Sequence, residues 1–135
     1  MRVFFDTNVL VSAFATRGLC ADLFRAILAR EELIVGEVVL DELERVLRTK
    51  LGAPESLVAE ILDLLRRHTV VQRPAAPHPD DIRDPDDAWV LASALAGEAD
   101  ILVTGDHDLL VLDPPAGLEI LDPRGLWTRL GSEEK

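Results

Sequence analysis

Short apolar segments rich in β-branched and aromatic residues alternate along this chain with longer segments of helical periodicity. The β-prone segments are residues 2–6, 33–35, 69–71, 101–103 and 118–121. A helical segment follows each of them, which is typical of parallel strands joined by crossover helices. The strands are apolar at consecutive positions, as expected when both faces of a sheet are buried. The alternation therefore predicts an α/β fold, a three-layer α/β/α sandwich with a central parallel sheet of about five strands.

The helical segments are predicted from apolar residues at i, i+3 and i+4 spacing. The clearest covers residues 37–51, where Leu43 lies on the apolar face. Glu42 and Glu44 lie on the two borders of that face, about 100° to either side of Leu43. Either glutamate can face both the core and a cleft, so helical geometry leaves both open. The other predicted helices cover residues 8–15, 20–30, 54–68, 87–95, 107–112 and 123–130.

The length of the chain predicts a single domain over residues 1–130, followed by a frayed tail at residues 131–135. Residues 73–85 contain four prolines and are predicted to form an ordered loop. No apolar run reaches the roughly 20 residues that cross a bilayer, and Asp6 follows Met1 too closely for a signal peptide. The single cysteine, Cys20, excludes an internal disulfide. We therefore expect a cytoplasmic protein that does not contact membranes.

Two acidic residues, Asp6 and Asp106, close predicted strands. Ligands of open α/β sheets bind beyond the carboxyl ends of the strands, where these two side chains would lie. Either residue alone is explained equally well as a helix cap, since aspartate is favoured there. Their equivalent positions on two strands favour a functional site. Carboxylates that converge repel one another, so such a cluster indicates a hard divalent cation.

Two further acidic candidates lie on helical segments. Asp87 belongs to a run in which Asp84, Asp86 and Asp87 fill three of four positions, with two more acids at 80–81. Helix capping by Asp86 or Asp87 explains one of them, and a solvated acidic loop is the simplest alternative for the run. Glu42 is individually weak evidence, since a glutamate on a surface helix is usually solvated.

Small polar residues adjoin both acids at the strand ends. Thr7 and Asn8 follow Asp6, and Thr104 precedes Asp106 by two positions. Hydroxyl and amide groups at such positions can hydrogen-bond a carboxylate and orient it toward an ion. We therefore expect these residues to support the acids rather than to bind a ligand directly.

The charge pattern excludes several classes of protein. The net charge of −11 argues against a general nucleic-acid binder, although an acidic site that holds metal attracts phosphate locally. A receiver domain or a haloacid-dehalogenase-like phosphatase needs a late lysine, and this chain has only Lys50 and Lys135. No glycine-rich phosphate loop that ends in lysine is present.

Four motifs follow one another along nearly the whole chain. They are FFDTNVL at residues 4–10, EVVLDEL at 37–43, DPDDAWVLA at 84–92 and VTGD at 103–106. In this order they resemble the PIN-domain family, and within it the VapC-like ribonucleases that serve as toxin components of toxin–antitoxin systems. The pair DTN and TGD at this separation carries most of the resemblance.

The resemblance implies a PIN-like sheet with four metal ligands at its carboxyl edge. These would be Asp6, Glu42, Asp87 and Asp106, supported by Thr7, Asn8, Asp84 and Thr104. The preference for Glu42 over Glu44 comes from the resemblance alone. The implied activity is hydrolysis of RNA by a metal-dependent endoribonuclease. Oxygen-only ligands select Mg²⁺ or Mn²⁺ rather than zinc.

The resemblance also implies partners. We expect an RNA substrate, a cognate antitoxin with a basic segment, and a homodimer or higher homo-oligomer. The alternative is a catalytically silent PIN-fold binding protein that acts through protein or RNA complexes.

Overall fold

The computed structural model describes residues 1–79 and 82–133. The strands are β1 (Arg2–Phe5), β2 (Glu32–Gly36), β3 (Thr69–Val71), β4 (Ile101–Val103) and β5 (Glu119–Leu121). The helices are α1 (Thr7–Ala15), α2 (Leu19–Arg30), α3 (Glu37–Thr49), α4 (Glu55–Arg66), α5 (Pro85–Ala96), α6 (His107–Leu110) and α7 (Pro123–Glu133). None of the helices in the described ranges is long and apolar enough to cross a membrane.

All strand pairs in the described sheet are parallel, and the strand order is β3-β2-β1-β4-β5. The predicted α/β fold with a parallel sheet of about five strands is therefore confirmed. β1 lies at the centre, where Val3, Phe4 and Phe5 are at most 1% exposed. Successive strand residues point to opposite faces, so burial of all three requires helices on both faces of the sheet.

The order of the strands creates a switch point beside β1. The chain adds β2 and β3 on one side of β1, then returns to add β4 and β5 on the other. The connection that follows β1 therefore runs toward one edge of the sheet and the connection that follows β4 runs toward the other, which opens a crevice between the carboxyl ends of these two strands. Phe5 pairs with Val103 at this end, so the residues that follow the two strands are neighbours.

Most element boundaries differ from the predicted ones by one or two residues. Helix α5 begins at Pro85 rather than residue 87, because Asp84 caps it and accepts a hydrogen bond from the Asp86 amide at 2.9 Å. The prediction that Asp86 or Asp87 is the cap was therefore wrong. Proline at the first helical position follows the usual preference.

The last helix differs in length from the prediction. Helix α7 continues to Glu133, whereas the sequence predicted a tail from residue 131 onward. Residues 134–135 lie outside the described residues, as do residues 80–81 of the proline-rich loop. Within that loop, the amide of His78 donates to the carbonyl of Ala88, which ties the loop to α5.

Replacing Gly97 with alanine is expected to destabilise the fold. A Cβ atom there would lie 2.6 Å from a Val71 methyl carbon and 2.9 Å from one of Ile34, and both side chains are β-branched and stiff. We expect a loss of about 1–3 kcal/mol in the free energy of unfolding, measured by urea denaturation. Gly131→Ala is the control, since it meets nothing within 4 Å. Equal stability of Gly97→Ala and the wild type would contradict this packing.

Candidate metal centre

Asp6 is the centre of a hydrogen-bond network at the switch point. Its carboxylate accepts bonds from the Thr7 amide at 2.7 Å, the Thr104 hydroxyl at 2.8 Å and the Asn8 side-chain amide at 3.2 Å. Asp6 is 4% exposed and is the N-cap of α1, so one residue both caps this helix and lines the cleft. The amide of Asp6 also donates to the Val103 carbonyl, which joins β1 to the end of β4.

The loop after β4 is fixed to the same network. The Thr104 hydroxyl accepts from the Asp106 amide at 3.0 Å, and the side-chain oxygen Oδ1 of Asn8 accepts from the Gly105 amide at 2.9 Å. Thr104 is fully buried. Thr104 and Asn8 are therefore hydrogen-bonded both to the Asp6 carboxylate and to the loop that carries Asp106.

Asp87 and Asp106 come together with a third acid that sequence reasoning missed. Oxygens of Asp87, Asp106 and Asp108 all lie within 4.8 Å of one another. Asp106 caps α6 and accepts from the Asp108 amide at 2.9 Å. The sequence signal for Asp108 was only its position, two residues after Asp106 and in the first turn of a short predicted helix. Asp87 is 5% exposed, which excludes the solvated-loop alternative for that residue.

Helix α3 places its two border glutamates in different surroundings. Glu42 is half-buried and lines the same cleft as Asp6 and Asp87. Glu44 instead forms an ion pair with Arg48 on the surface of the helix. Of the two border glutamates, Glu42 therefore lies with the other cleft acids and Glu44 does not line the cleft.

One cleft contains all four predicted ligands. It has a volume of about 410 Å³, within the roughly 300–1,000 Å³ of typical ligand pockets. Asp84 and Asp86 lie on its rim, and Thr7 and Asn8 contribute to its lining. The remaining wall consists of Val11, Val46, Lys50, Leu51 and Val90.

A wider cavity of about 710 Å³ lies at the opposite end of the sheet. Arg2 spans this end, donating to the Gly97 carbonyl at 2.7 Å and to Glu32 at 2.7 Å. Cations and acids are mixed along its walls, and it lies at the amino ends of the strands, away from the switch point. We therefore place the candidate site in the smaller cleft.

Burial and mutual repulsion shift the pKa values of three cleft acids upward. Burial is the main cause for Asp6, whose pKa is lowered in part by its hydrogen bond from Thr104 and raised by the charge of Asp106. Burial also raises the pKa of Glu42, followed by the charges of Asp6 and Asp86. The pKa of Asp87 rises to about 8 through burial, a hydrogen bond shared with Asp106, and that residue's charge.

Two buried oxygens in the cleft are unpartnered. Among the described residues, Oδ2 of Asp87 and the Thr7 hydroxyl have no hydrogen-bond partner. The Thr7 hydroxyl nevertheless lies near enough to Glu42 to lower that carboxyl's pKa. A buried carboxylate oxygen without a donor, among acids that repel one another, fits a bound cation. The donors are all oxygen atoms, which matches a hard divalent ion rather than zinc.

Replacing Thr104 with valine tests whether this network orients the acids. The change removes the donor to Asp6 and the acceptor for the Asp106 amide at nearly constant volume. We expect affinity for Mn²⁺ to fall by about 10- to 100-fold, as for other groups that orient metal ligands. Isothermal titration calorimetry measures this, with the exposed Thr128→Val as control. Unchanged affinity would show that Thr104 does not position the acids.

Comparisons with known proteins place the chain in a family. A family model described as PIN domain matches residues 2–108. VapBC2 from Rickettsia felis, solved with a DNA fragment from its promoter, shares the fold with a TM-score of 0.65 and 15% identity, over 90% of this chain and 98% of that one. PAE2754 from Pyrobaculum aerophilum gives a TM-score of 0.61 and 21% identity, over 98% and 90%.

No curated protein sequence matches this chain significantly. The family match nevertheless covers most of the chain and includes all four strand-end and helix acids. Both solved structures agree with the parallel sheet described above. The chain belongs to the PIN domain family.

Proposed function

We propose that this protein is a Mg²⁺- or Mn²⁺-dependent endoribonuclease. The observation that carries the proposal is one cleft lined by Asp6, Glu42, Asp87 and Asp106, in which Oδ2 of Asp87 has no described hydrogen-bond partner. Members of the PIN family are generally nucleases, which agrees with a site built for phosphate rather than for a small apolar ligand. Asp108 is a further carboxylate close to two of these acids, Asp87 and Asp106.

The proposed ligands are Asp6, Glu42, Asp87 and Asp106. A divalent cation bound there would lower the pKa of a water molecule and neutralise charge that develops on the phosphate. The protein's own part is to hold the carboxylates rigidly. Thr104, Asn8 and the Thr7 amide fix Asp6.

Protonation of Asp87 is coupled to the proposed cation. Its raised pKa keeps the carboxyl protonated near neutral pH in the metal-free protein. A cation requires the ionised form, so binding would release this proton to solvent. The mutual repulsion of the acids would then be replaced by attraction to a common positive charge.

The biological role we propose is that of a toxin in a toxin–antitoxin pair. The motif resemblance to VapC-like ribonucleases supports this role, and so does the shared fold with VapBC2 from Rickettsia felis. An antitoxin with a basic segment could place an arginine among the cleft acids, where its guanidinium would match the charge of the cation. Cytoplasmic location and a homodimer are part of the same proposal.

A cleavage assay on pooled cellular RNA tests the proposed activity. We expect cleavage with Mn²⁺ or Mg²⁺, none with EDTA, and recovery when the ion is added back. Zn²⁺ should support cleavage less well, since the donor set lacks histidine and cysteine. If no RNA pool is cleaved with Mn²⁺ present, the protein acts instead through binding, as a catalytically silent member of the family.

A further inference from the structure

Part of the cleft wall, formed by Val11, Val46 and Leu51, differs in chemistry from the acids. Val11 and Val46 are half-buried there, and Leu51 is 48% exposed. An exposed leucine beside two valines gives an apolar surface at the entrance of an otherwise acidic cleft. None of these side chains has a part in holding a cation.

Lys50 lies on the same wall. It is the only positively charged residue that lines this cleft among the residues described. Lys50 is exposed, follows the last turn of α3 as its C-cap residue, and makes none of the ion pairs found in the described parts of the chain. It comes eight residues after Glu42, which corresponds to about 12 Å along a helix axis.

We propose that Lys50 binds a phosphate of single-stranded RNA next to the phosphate that is cleaved, while Val11, Val46 and Leu51 contact the nucleoside between them. This inference rests on the proposed function of the cleft. A lysine ammonium supplies the charge that phosphate contacts need, and an apolar surface favours the face of a base over water. The cleft would then hold RNA at two points, the acid cluster and Lys50.

Charge favours RNA over a basic peptide on this wall. A segment rich in arginine and lysine would be attracted to the acids but repelled by Lys50, whereas a phosphate is attracted by Lys50 and by a filled metal site. Among the described residues, the other charged side chains that line this cleft are all acidic, so Lys50 provides its only attraction for a phosphate in the absence of a cation. Both points assign this wall to the substrate.

The test compares Lys50→Ala with Arg67→Ala. Both residues are exposed, and both are C-cap residues in the right-handed helical conformation, but Arg67 lines the cavity at the opposite end of the sheet. Binding of a fluorescent single-stranded RNA is measured by anisotropy, with Ca²⁺ as an oxygen-binding ion in place of Mn²⁺. Cleavage of the same RNA is measured with Mn²⁺. Both assays are run from low to moderate salt.

We expect Lys50→Ala to weaken RNA binding and raise KM about fivefold to tenfold, with kcat changed less than twofold, while Arg67→Ala changes neither. The slope of log affinity against log salt should fall in magnitude by about 0.7, the value for one phosphate contact in a single strand. Lys50→Arg should restore binding, and Leu51→Ser should weaken it about threefold through loss of apolar contact.

The outcomes separate this inference from the proposed function. If RNA is cleaved but Lys50→Ala behaves like Arg67→Ala, the inference is wrong and the nuclease assignment stands. If RNA binding depends on Lys50 but no cleavage occurs, the inference stands and the nuclease assignment fails. A change in Mn²⁺ affinity with an unchanged RNA salt slope would show that Lys50 only offsets the charge of the acids, which overturns the inference.

Discussion

Asp6→Asn is expected to reduce Mn²⁺-dependent RNA cleavage by about 10³-fold or more, because it removes a charged ligand from the proposed centre. The asparagine is nearly isosteric, and its side-chain oxygen can still accept from the Thr7 amide, so the fold should persist. Asp63→Asn, on the exposed surface of α4, is the matched control and should retain full activity. The measurement is kcat/KM on a defined RNA at saturating Mn²⁺.

Circular dichroism and thermal unfolding must show that Asp6→Asn is folded. The Asn8 side-chain amide and the Thr104 hydroxyl both donate to Oδ2 of Asp6, at 3.2 and 2.8 Å, so both contacts are expected to weaken where the asparagine places its NH2 group. A folded variant with wild-type activity would remove Asp6 from the catalytic set. Equal loss in Asp63→Asn would point to a general charge effect instead.

Asp87→Asn is expected to stabilise the metal-free protein, although it removes a proposed ligand. The folded pKa of Asp87 is about 8, well above its ordinary value of 3.8. The native state therefore holds a proton that the unfolded state releases as pH rises between these values. Its contribution to stability is fully present below pH 3.8 and is lost as pH rises toward 8. An asparagine at position 87 does not titrate, so it adds no pH dependence to the free energy of unfolding.

Urea denaturation in EDTA across pH 5 to 9 measures this difference. At pH 8 we expect Asp87→Asn to exceed the wild type by about 1 kcal/mol or more, because a neutral amide relieves a buried, unpartnered carboxylate. The gap should shrink as pH falls. Saturating Mn²⁺ should reverse the order, since a ligand bound only by the native wild type at 100 times its Kd adds about 2.7 kcal/mol. A variant less stable than wild type in EDTA at pH 8 would contradict the account.

The strand-end acids could be predicted from sequence because their positions follow from the sheet itself. Asp6 directly follows β1 and Asp106 comes three residues after the end of β4, and parallel strands bring such positions to one edge of the sheet. Their local neighbours Asn8 and Thr104 were identifiable for the same reason. The order of the strands, which places both acids at the switch point, could not be inferred from one sequence.

The acids that lie on helices could not be assigned from sequence alone, because their surroundings depend on tertiary packing. Glu42 and Glu44 occupy equivalent borders of α3, and only the position of the helix against the rest of the fold separates cleft from surface. Asp86 or Asp87 was predicted as the cap of α5 in place of Asp84, although Pro85 indicates a helix start directly after Asp84. Asp108 was missed because a first-turn aspartate is ordinary in a helix.

The apolar part of the cleft wall could not be predicted from the sequence either. Lys50 and Leu51 lie at the end of α3, far along the chain from Asp87 and Asp106, and nothing in their local pattern distinguishes them from solvated surface. Their placement depends on how α3 packs beside α1 and α5. Residues that line a cleft from distant parts of the chain can be identified only from the folded structure.

Direct titration of the metal-free protein with Mn²⁺ by isothermal calorimetry tests the central claim, that the cleft acids form a hard-cation centre. We expect saturable binding by the wild type and by Asp63→Asn, an affinity that rises as pH approaches 8, and at least tenfold weaker binding by Asp6→Asn and Asp87→Asn. Absence of saturable binding by the folded wild type, or equal binding by all four proteins, would contradict it.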